Sequence, residues 1–498
     1  MNFTQAETTL RQGQKTLTYY NNIRRTLEWD MRVNMPSKAV EYRSSCIGFL
    51  TDQAYLTATS PELSEAAQTI LASGKGDRLL RTLAAHTLQV AQNYAAVPRK
   101  LHSDYSAHCL KAEAIWQEAR AKNDFSLFRD ALDTSFAFKR KFAAEAGHRC
   151  DVVTYLLSER EPDMTEERLD QLFDGLKAFL LPFLQQITSV QKPAPPLPRS
   201  HYPTDKQKEL CLKVMDAFGF DFSAGRLDES AHPVTTPNQR RDIRITTRFF
   251  EHDFISGLIS CCHETGHALY HQNIAPELEH TQLNFSSSPG LDEGIARFWE
   301  SFIGRSMPFW QWLYPRAKEA FPALGELSPE QLYSAVNTIC ISPYRPQSDE
   351  LTGNLHIILR YELEKLLLRG EITARDVPAV WNEKCKLYFG SAPERDAEGC
   401  LLDMHWASGF IAYFQSYVLA NFYAAHLFLH LQKELPSLDQ KISQGNFAPI
   451  KQWLSHHVFS CGAAVPSEEL LTSLTGETLS PKPYIDYIRT KYSELYNL

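Results

Sequence analysis

The stretch His263-Glu264-Thr265-Gly266-His267 decides how this sequence is interpreted. Residues four apart lie on the same face of an α-helix, so both imidazoles can reach one cation if the stretch is helical. Apolar residues recur around it at helical spacing and would bury one side of that helix: Ile255, Leu258, Ile259, Cys262, Gly266 and Leu269. The pattern H-E-x-x-H therefore predicts a metal-binding helix that carries a carboxylate beside its two ligands.

Glu264 gives this predicted site its chemistry. Zinc lowers the pKa of a coordinated water to about 7, and a neighbouring carboxylate can accept the proton from that water. A structural zinc site needs no such base, so Glu264 favours a zinc-dependent peptide hydrolase. The alternative without catalysis is a helical protein that binds zinc, or only keeps the motif, as a binding or structural module.

A third protein ligand is expected, with the fourth position open for water. The metzincin pattern is excluded because its Gly and His positions are occupied by Tyr270 and Asn273. The remaining common solution is a Glu from a following helix, and Glu293 follows His267 at a suitable distance along the chain. Spacing alone leaves open that Glu293 instead pairs with Arg297. It also leaves other nearby acids as possible ligands, namely Glu277, Glu279, Asp292 and Glu300.

Composition narrows the classes of partner. The chain has 498 residues and a net charge of -8, with 43% apolar residues, which is ordinary for a soluble globular protein. This charge argues against nucleic-acid and anionic-membrane surfaces, which select basic patches. Residues 409–431 form the most apolar window but include several polar residues, so we expect a buried helix there. No signal peptide is visible and the ten cysteines lack paired spacing, which predicts a cytoplasmic protein.

Helical patterns dominate the chain, and we expect a mainly α fold. The predicted organisation is one helical peptidase domain over residues 1–498, with an N-terminal helical part over 1–190. A proline-rich loop over 191–203 then leads to a catalytic part over 204–498.

Several helix ends can be predicted from their capping residues. Asp163-Met164-Thr165-Glu166 has the pattern of a capping box, with Asp163 as N-cap. Ser328-Pro329-Glu330-Gln331 predicts a second helix start. A further helix is expected from Asn354 to Arg369, with Gly370 as its C-cap.

One segment alternates like a β-strand, Asp242-Ile243-Arg244-Ile245-Thr246-Thr247-Arg248-Phe249. One interpretation is an amphipathic edge strand with a solvated charged face. The other is that the polar face lines the cleft of the metal motif, because the segment lies shortly before that motif. Alternation alone leaves both open.

A series of short motifs runs in order along nearly the whole chain. They are Trp29-Asp30, Met35-Pro36, His232-Pro233, Asp242-Ile243-Arg244-Ile245-Thr246, Tyr344-Arg345-Pro346-Gln347-Ser348-Asp349-Glu350, Asn354-Leu355-His356-Ile357, Asp403-Met404-His405-Trp406 with Tyr413-Phe414, Thr475-Gly476-Glu477 and Lys491-Tyr492. Together with H-E-x-x-H and the downstream Glu, they resemble the Taq-type metallocarboxypeptidases. The family motifs are H-P-F, D-x-R-x-T, I-R-x-x-A-D-E and D-x-H-W followed by G-Y-F.

The resemblance implies a carboxypeptidase with zinc, or with cobalt, whose substrates are peptides with a free C-terminus. It makes Glu293 the third ligand, because the family segment H-E-S-Q-S-R falls on Asp292 to Arg297. It also implies a saddle-like helical body with a deep active-site groove and a small strand element, related to the angiotensin-converting enzyme and neurolysin group. Members of the family are usually homodimers.

The same resemblance suggests roles for residues beyond the metal ligands. His405 and Tyr413 are the expected donors to the oxyanion that develops during hydrolysis, with Tyr417 as the alternative. Arg345 is the first choice for binding the substrate carboxylate and Arg244 the second, since a guanidinium binds a carboxylate with two hydrogen bonds.

An endo-oligopeptidase is the competing enzyme, since it would use the same zinc chemistry without recognising the chain end. The sequence also departs from the family pattern at positions outside the ligands and the base: Val234, Asp292, Ile295, Leu402, Phe459 and Cys461.

Overall fold

The computed structural model describes residues 1–147, 151–190 and 197–498. The first part of the described chain is helical and consists of α1 (Phe3–Val33), α2 (Val40–Ala58), α3 (Pro61–Ser73), α4 (Arg78–Ala96), α5 (Arg99–Lys122), α6 (Arg129–Glu145), α7 (Val152–Ser158), α8 (Glu166–Val190) and α9 (Thr204–Phe218). Three short strands follow, namely β1 (Gly225–Glu229), β2 (Val234–Gln239) and β3 (Asp242–Thr247).

The rest of the chain is again helical. It consists of α10 (Phe254–Gln272), α11 (Pro289–Arg297), α12 (Met307–Ala320), α13 (Pro329–Val336), α14 (Thr352–Arg369), α15 (Val377–Phe389), α16 (Gln415–Glu434), α17 (Leu438–Ser443), α18 (Ala448–His457), α19 (Ser467–Thr475) and α20 (Lys482–Tyr496). The prediction of a mainly α fold with a small strand element next to the metal helix is confirmed.

Two compact units can be recognised, and each is built from separate stretches of chain. The first contains Met1–Gln92, Ala194–Val336 and Tyr423–Leu479, and so includes the three strands, α10 and α11. The second contains Asn93–Pro193, Asn337–Phe422 and Ser480–Leu498, and so includes α14. Of the predicted proline-rich loop, residues 191–196 lie outside the described residues.

Two of the three predicted helix ends are confirmed. α13 begins at Pro329, and the Ser328 hydroxyl accepts a hydrogen bond from the Gln331 amide at 3.2 Å. α14 ends at Gly370, whose φ of 71° is the left-handed conformation that favours glycine at this position.

The predicted N-cap of α8 is wrong. The helix begins at Glu166, and the Thr165 hydroxyl accepts from the Arg168 amide at 3.3 Å. Met164 and Leu169 are both buried and occupy the two positions of a hydrophobic staple around a Thr165 cap. The N-cap of α8 is therefore Thr165, two residues after the predicted Asp163.

The strands form one sheet in the order β1-β3-β2, with β3 parallel to β1 and antiparallel to β2. Ile243 and Ile245 are fully buried, so the predicted alternation holds over residues 242–245. It fails at Thr246, which was expected on the polar face but is also buried, and the strand ends at Thr247. Because β3 is the central strand, the interpretation of it as an edge strand is wrong. Its register also places Thr235 of β2 opposite Ile245.

No helix in the described part of the chain is long and apolar enough to cross a membrane. Most of the apolar window at residues 409–431 lies in α16, whose first residues Gln415 and Ser416 are fully buried. The Ser416 hydroxyl donates to Glu161 at 2.7 Å, which satisfies a polar group inside the helical body.

The glycine of the metal motif sets the distance between α10 and α11. A Cβ atom at Gly266 would lie 2.7 Å from the Ala296 Cα and 2.9 Å from the Ile295 carbonyl oxygen. Real Cβ atoms do not approach backbone atoms that closely, so only glycine allows this contact. The H-E-x-x-H helix can therefore pack directly against the helix that carries Glu293.

Gly266→Ala is expected to push α11 away from α10. We expect the free energy of unfolding to fall by about 1–3 kcal/mol, as for other overpacked sites, and the affinity for zinc to fall with it. Urea denaturation and zinc titration measure the two effects. Gly48→Ala is the matched control, because Gly48 is also helical but a Cβ there has nothing within 4 Å. Equal stability and zinc affinity in Gly266→Ala and the wild type would contradict the packing argument.

Candidate metal centre

Three predicted ligands converge in the first unit. His263 and His267 project from α10 and Glu293 from α11, and one ligand atom from each lies within 4.8 Å of the others. The Nε2 atoms of His263 and His267 are 3.5 Å and 3.8 Å from the same carboxylate oxygen of Glu293. The tertiary structure thus selects Glu293 among the acidic residues that spacing left open.

These separations fit a metal ion better than direct hydrogen bonds. Nitrogen-to-oxygen distances of 3.5 and 3.8 Å exceed the usual hydrogen-bond range of about 2.7–3.2 Å. Two ligands that are each about 2.1 Å from an ion at a tetrahedral angle lie about 3.4 Å apart. Two imidazoles and a carboxylate are also the donor set of many catalytic zinc sites. The residues therefore fit zinc.

Each imidazole has a carboxylate near its other nitrogen. His263 Nδ1 is 2.9 Å from Glu300 Oε2, and His267 Nδ1 is 3.4 Å from Asp292 Oδ2. When a carboxylate accepts the Nδ1 proton, the unprotonated Nε2 is available as a metal ligand. His263 thus has the orienting hydrogen bond that metal-binding histidines usually have, whereas Asp292 faces His267 Nδ1 without a hydrogen bond.

Glu300 and Asp292 are held in different ways. Glu300 lies on a π-helical segment, Phe298–Ile303, that continues α11, and Arg297 donates to its two carboxylate oxygens at 2.9 Å. Asp292 precedes the ligand Glu293 and lies 3.5 Å from His271 Nε2 as well as near His267. Sequence reasoning considered both acids as alternative ligands. Metal-binding histidines usually have a carboxylate partner at the second ring nitrogen, and this rule could have predicted an orienting role for the two acids.

The electrostatics of the cluster favour a cation. Burial alone would lower the pKa of His263, but the neighbouring carboxylates of Glu293 and Glu300 raise it to about 10. Burial alone would raise the pKa of Glu300, but Arg297 and His263 lower it to about 2. His267 and His271 likewise hold the pKa of Asp292 well below its usual value, despite burial. Ionised carboxylates buried around two imidazoles therefore create a site that favours positive charge.

Glu264 lies beside the ligands and is almost fully buried. The Thr235 hydroxyl of β2 is 2.7 Å from Glu264 Oε2 and 3.0 Å from the Glu264 carbonyl oxygen. Sequence reasoning missed Thr235, since β2 has no clear strand pattern. The preceding His232-Pro233 motif was the only signal near it.

Arg244 also belongs to the first unit. Its guanidinium makes two hydrogen bonds to Asp242, at 2.8 and 3.0 Å, and lies 4.4 Å from the centroid of the Trp29 ring. The charged side chains of Asp242 and Arg244 on the polar face of β3 are therefore paired with each other and only partly exposed.

Arg345 belongs to the second unit, where it shares a carboxylate with a second arginine. Asp403 is 2.6 Å from Arg345 and 2.5 Å from Arg360. These two arginines hold the pKa of Asp403 well below its usual value, although burial alone would raise it. The Arg345 side chain is 36% exposed and that of Arg360 only 1%, so the surplus positive charge is accessible at Arg345.

The three oxyanion candidates lie together in the second unit. The His405 ring centroid is 6.2 Å from that of Tyr413 and 6.3 Å from that of Tyr417, and the two tyrosine rings are 5.5 Å apart. His405 and Tyr413 lie in the loop before α16, which Glu364 of α14 contacts at two points, whereas Tyr417 lies in α16 itself. Glu364 accepts from Trp406 Nε1 at 2.7 Å and from the Ala412 amide at 3.1 Å.

Comparison with known proteins identifies the family of this chain. Residues 9–492 match the family model described as carboxypeptidase Taq (M32) metallopeptidase. Carboxypeptidase 1 of Bacillus subtilis (strain 168) is 37% identical over 488 residues, which are 97% of each chain. Thermostable carboxypeptidase 1 of Thermus thermophilus is 33% identical over 499 residues, again covering 97% of each chain.

Solved structures agree with this assignment. The M32 carboxypeptidase of Deinococcus radiodurans R1 superposes with a TM-score of 0.96 at 30% identity, covering 99% of this chain and 100% of that one. Pyrococcus furiosus carboxypeptidase superposes with a TM-score of 0.94 at 31% identity, covering 98% and 99%. The chain therefore belongs to the carboxypeptidase Taq (M32) metallopeptidase family and is a metallocarboxypeptidase.

Proposed function

We propose that this metallocarboxypeptidase uses zinc held by His263, His267 and Glu293, with Glu264 as general base. The observation that carries the proposal is the convergence of two imidazole nitrogens on one Glu293 oxygen at 3.5 and 3.8 Å. Glu264 lies next to His263 in α10, where a base for the attacking water is required. Cobalt would fit the same nitrogen and oxygen donors and is the second choice of metal.

Different residues of the centre have different roles in the proposed hydrolysis. When bound, zinc supplies a Lewis acid that polarises the scissile carbonyl and makes the attacking water more acidic. The Glu264 carboxylate accepts the proton of that water and then donates it to the departing amine. Glu300 and Asp292 keep the two imidazoles oriented through their Nδ1 atoms.

The negative charge on the carbonyl oxygen needs a second donor, and we propose His405 and Tyr413, with Tyr417 as the alternative. Their support is the family motif together with the close approach of the three rings in the second unit. Glu364 restrains the loop before α16 at Trp406 and Ala412 and so limits how far His405 and Tyr413 can move.

Recognition of the substrate carboxylate is proposed for Arg345. One Asp403 carboxylate is shared by two guanidinium groups, which leaves a positive charge, and Arg345 is the more exposed of the two. Arg244 remains the second choice, because Asp242 already occupies its guanidinium with two hydrogen bonds.

The proposal also covers the localisation, the assembly and the substrate class of the protein. We infer a cytoplasmic homodimer that acts on peptides with a free C-terminus and binds neither nucleic acid nor membranes. A net charge of -8 supports the last point. The single peptidase domain over residues 1–498, its deep groove and its likeness to the neurolysin group are proposed from the family resemblance.

Removal of the base tests the mechanism. Glu264→Gln is expected to lower kcat by about 10²–10⁴-fold, the usual contribution of a general base, while zinc content stays unchanged. Release of the C-terminal amino acid from a peptide and zinc analysis of the same preparations measure the two quantities. Equal turnover by Glu264→Gln and the wild type would refute the mechanism and favour a role for the zinc motif without catalysis.

Replacement of the third ligand tests the metal site. Glu293→Gln should lose stoichiometric zinc after dialysis, because an amide is a much poorer zinc ligand than a carboxylate. Glu277→Gln is the control: Glu277 was one of the other acids within reach along the sequence, and it is exposed. Retention of zinc by Glu293→Gln, or its loss from Glu277→Gln, would contradict the ligand assignment.

Arg345→Ala tests recognition of the chain end. Loss of charge-assisted hydrogen bonds should raise KM about 10- to 100-fold for peptides with a free C-terminus, with zinc content unchanged. Arg489→Ala, at an exposed position of α20 in the same unit, serves as the control. An unchanged KM in Arg345→Ala would exclude this assignment.

The C-terminally amidated form of the same peptide separates the two enzyme alternatives. A carboxypeptidase loses this substrate, whereas an endo-oligopeptidase cleaves both forms.

A further inference from the structure

Thr235 contacts the proposed general base from a different element of the fold. It lies on β2, which pairs with the central strand β3, whereas Glu264 lies on α10. The Thr235 hydroxyl is 2.7 Å from Glu264 Oε2 and 3.0 Å from the Glu264 carbonyl oxygen. Hydroxyl-to-carboxylate hydrogen bonds are the shorter and stronger kind, so the proton is directed mainly to Oε2.

This contact makes the two oxygens of the Glu264 carboxylate different. Oε2 accepts the Thr235 proton, and in the part of the chain that the structure describes no side chain or amide donates to Oε1. A base needs one oxygen with a lone pair directed at the proton that it removes. Oε1 is the oxygen that remains available for this role.

The position of the hydroxyl is set by the sheet. The register of β2 against β3 pairs Thr235 with Ile245, and Ile245 is fully buried. A β-branched side chain also has few χ1 rotamers, so the Thr235 hydroxyl has little freedom. A long Glu side chain has several, and a fixed donor restricts the carboxylate to one of them.

We propose that Thr235 is a positioning residue for the reaction: its hydroxyl holds Glu264 Oε2 so that Oε1 faces the attacking water. This role rests on the proposed function of Glu264 as general base. It assigns to the sheet a part in catalysis, because β2 supplies the group that orients a residue of the metal helix.

The neighbouring Thr236 provides a matched control. It lies on the same strand, its side chain points to the opposite face, and it is buried. Its hydroxyl makes no hydrogen bond within the described residues, so Thr236→Val changes the same atoms as Thr235→Val without touching the base.

The experiment compares Thr235→Val, Thr235→Ser and Thr236→Val with a peptide substrate of free C-terminus. We expect Thr235→Val to lower kcat about 10- to 100-fold, part of the contribution of a general base, with KM, zinc content and melting temperature unchanged. Thr235→Ser should restore kcat to within about threefold, since it keeps the hydroxyl. Thr236→Val should match the wild type.

Three results would overturn the role of Thr235. One is an unchanged kcat in Thr235→Val. Another is an equal loss in Thr235→Ser, which would show that the methyl group and not the hydroxyl matters. The third is a loss of zinc or of stability that accounts for the whole effect.

A double variant separates this inference from the proposed function. If Thr235 acts through Glu264, Thr235→Val should have no further effect on kcat in a Glu264→Gln background. A further loss of the same size there overturns the positioning role alone. Full turnover by Glu264→Gln itself overturns the proposed base and, with it, the role of Thr235.

Discussion

The close contact of α10 with α11 at Gly266 is the constraint on which the metal centre depends. A side chain at this position would collide with the backbone at Ala296, three residues after the proposed ligand Glu293. Because ligand distances tolerate only a few tenths of an ångström, a small separation of the two helices would open the site. A residue with no side chain thus controls where three other side chains can meet.

The charged side chains around this contact are largely buried, so each of them needs an oppositely charged partner. Charged groups removed from water must be paired, and here Glu300 is paired with Arg297 and His263 while Asp292 lies between His267 and His271. The Taq-type pattern has a histidine at the position of Asp292. In this chain the acidic residue has basic neighbours on α10, so the departure remains compatible with an oriented ligand.

Particular elements show where sequence reasoning succeeds and where it stops. The helix of the metal motif, the end of α14 before Gly370 and the alternation of β3 over residues 242–245 depend on residues close together in the chain, and all three are confirmed. The start of α8 was misplaced because both Asp163 and Thr165 can cap a helix, and burial of Met164 decides between them. The position of β3 in the sheet depends on its partner strands, which its own alternation does not specify.

By itself, the sequence determined the helix of the metal motif and the placement of its two histidines, because helical periodicity alone puts His263 and His267 on one face. Spacing along the chain left several acids open and the family resemblance pointed to Glu293, but only the tertiary structure brings Glu293 to the two histidines and Thr235 to Glu264. The reason is physical: periodicity describes neighbours along one element, whereas these contacts join separate elements through packing. The local sequence thus specifies the residues of the metal motif, whereas their geometry depends on the contacts of α10 with α11 and β2.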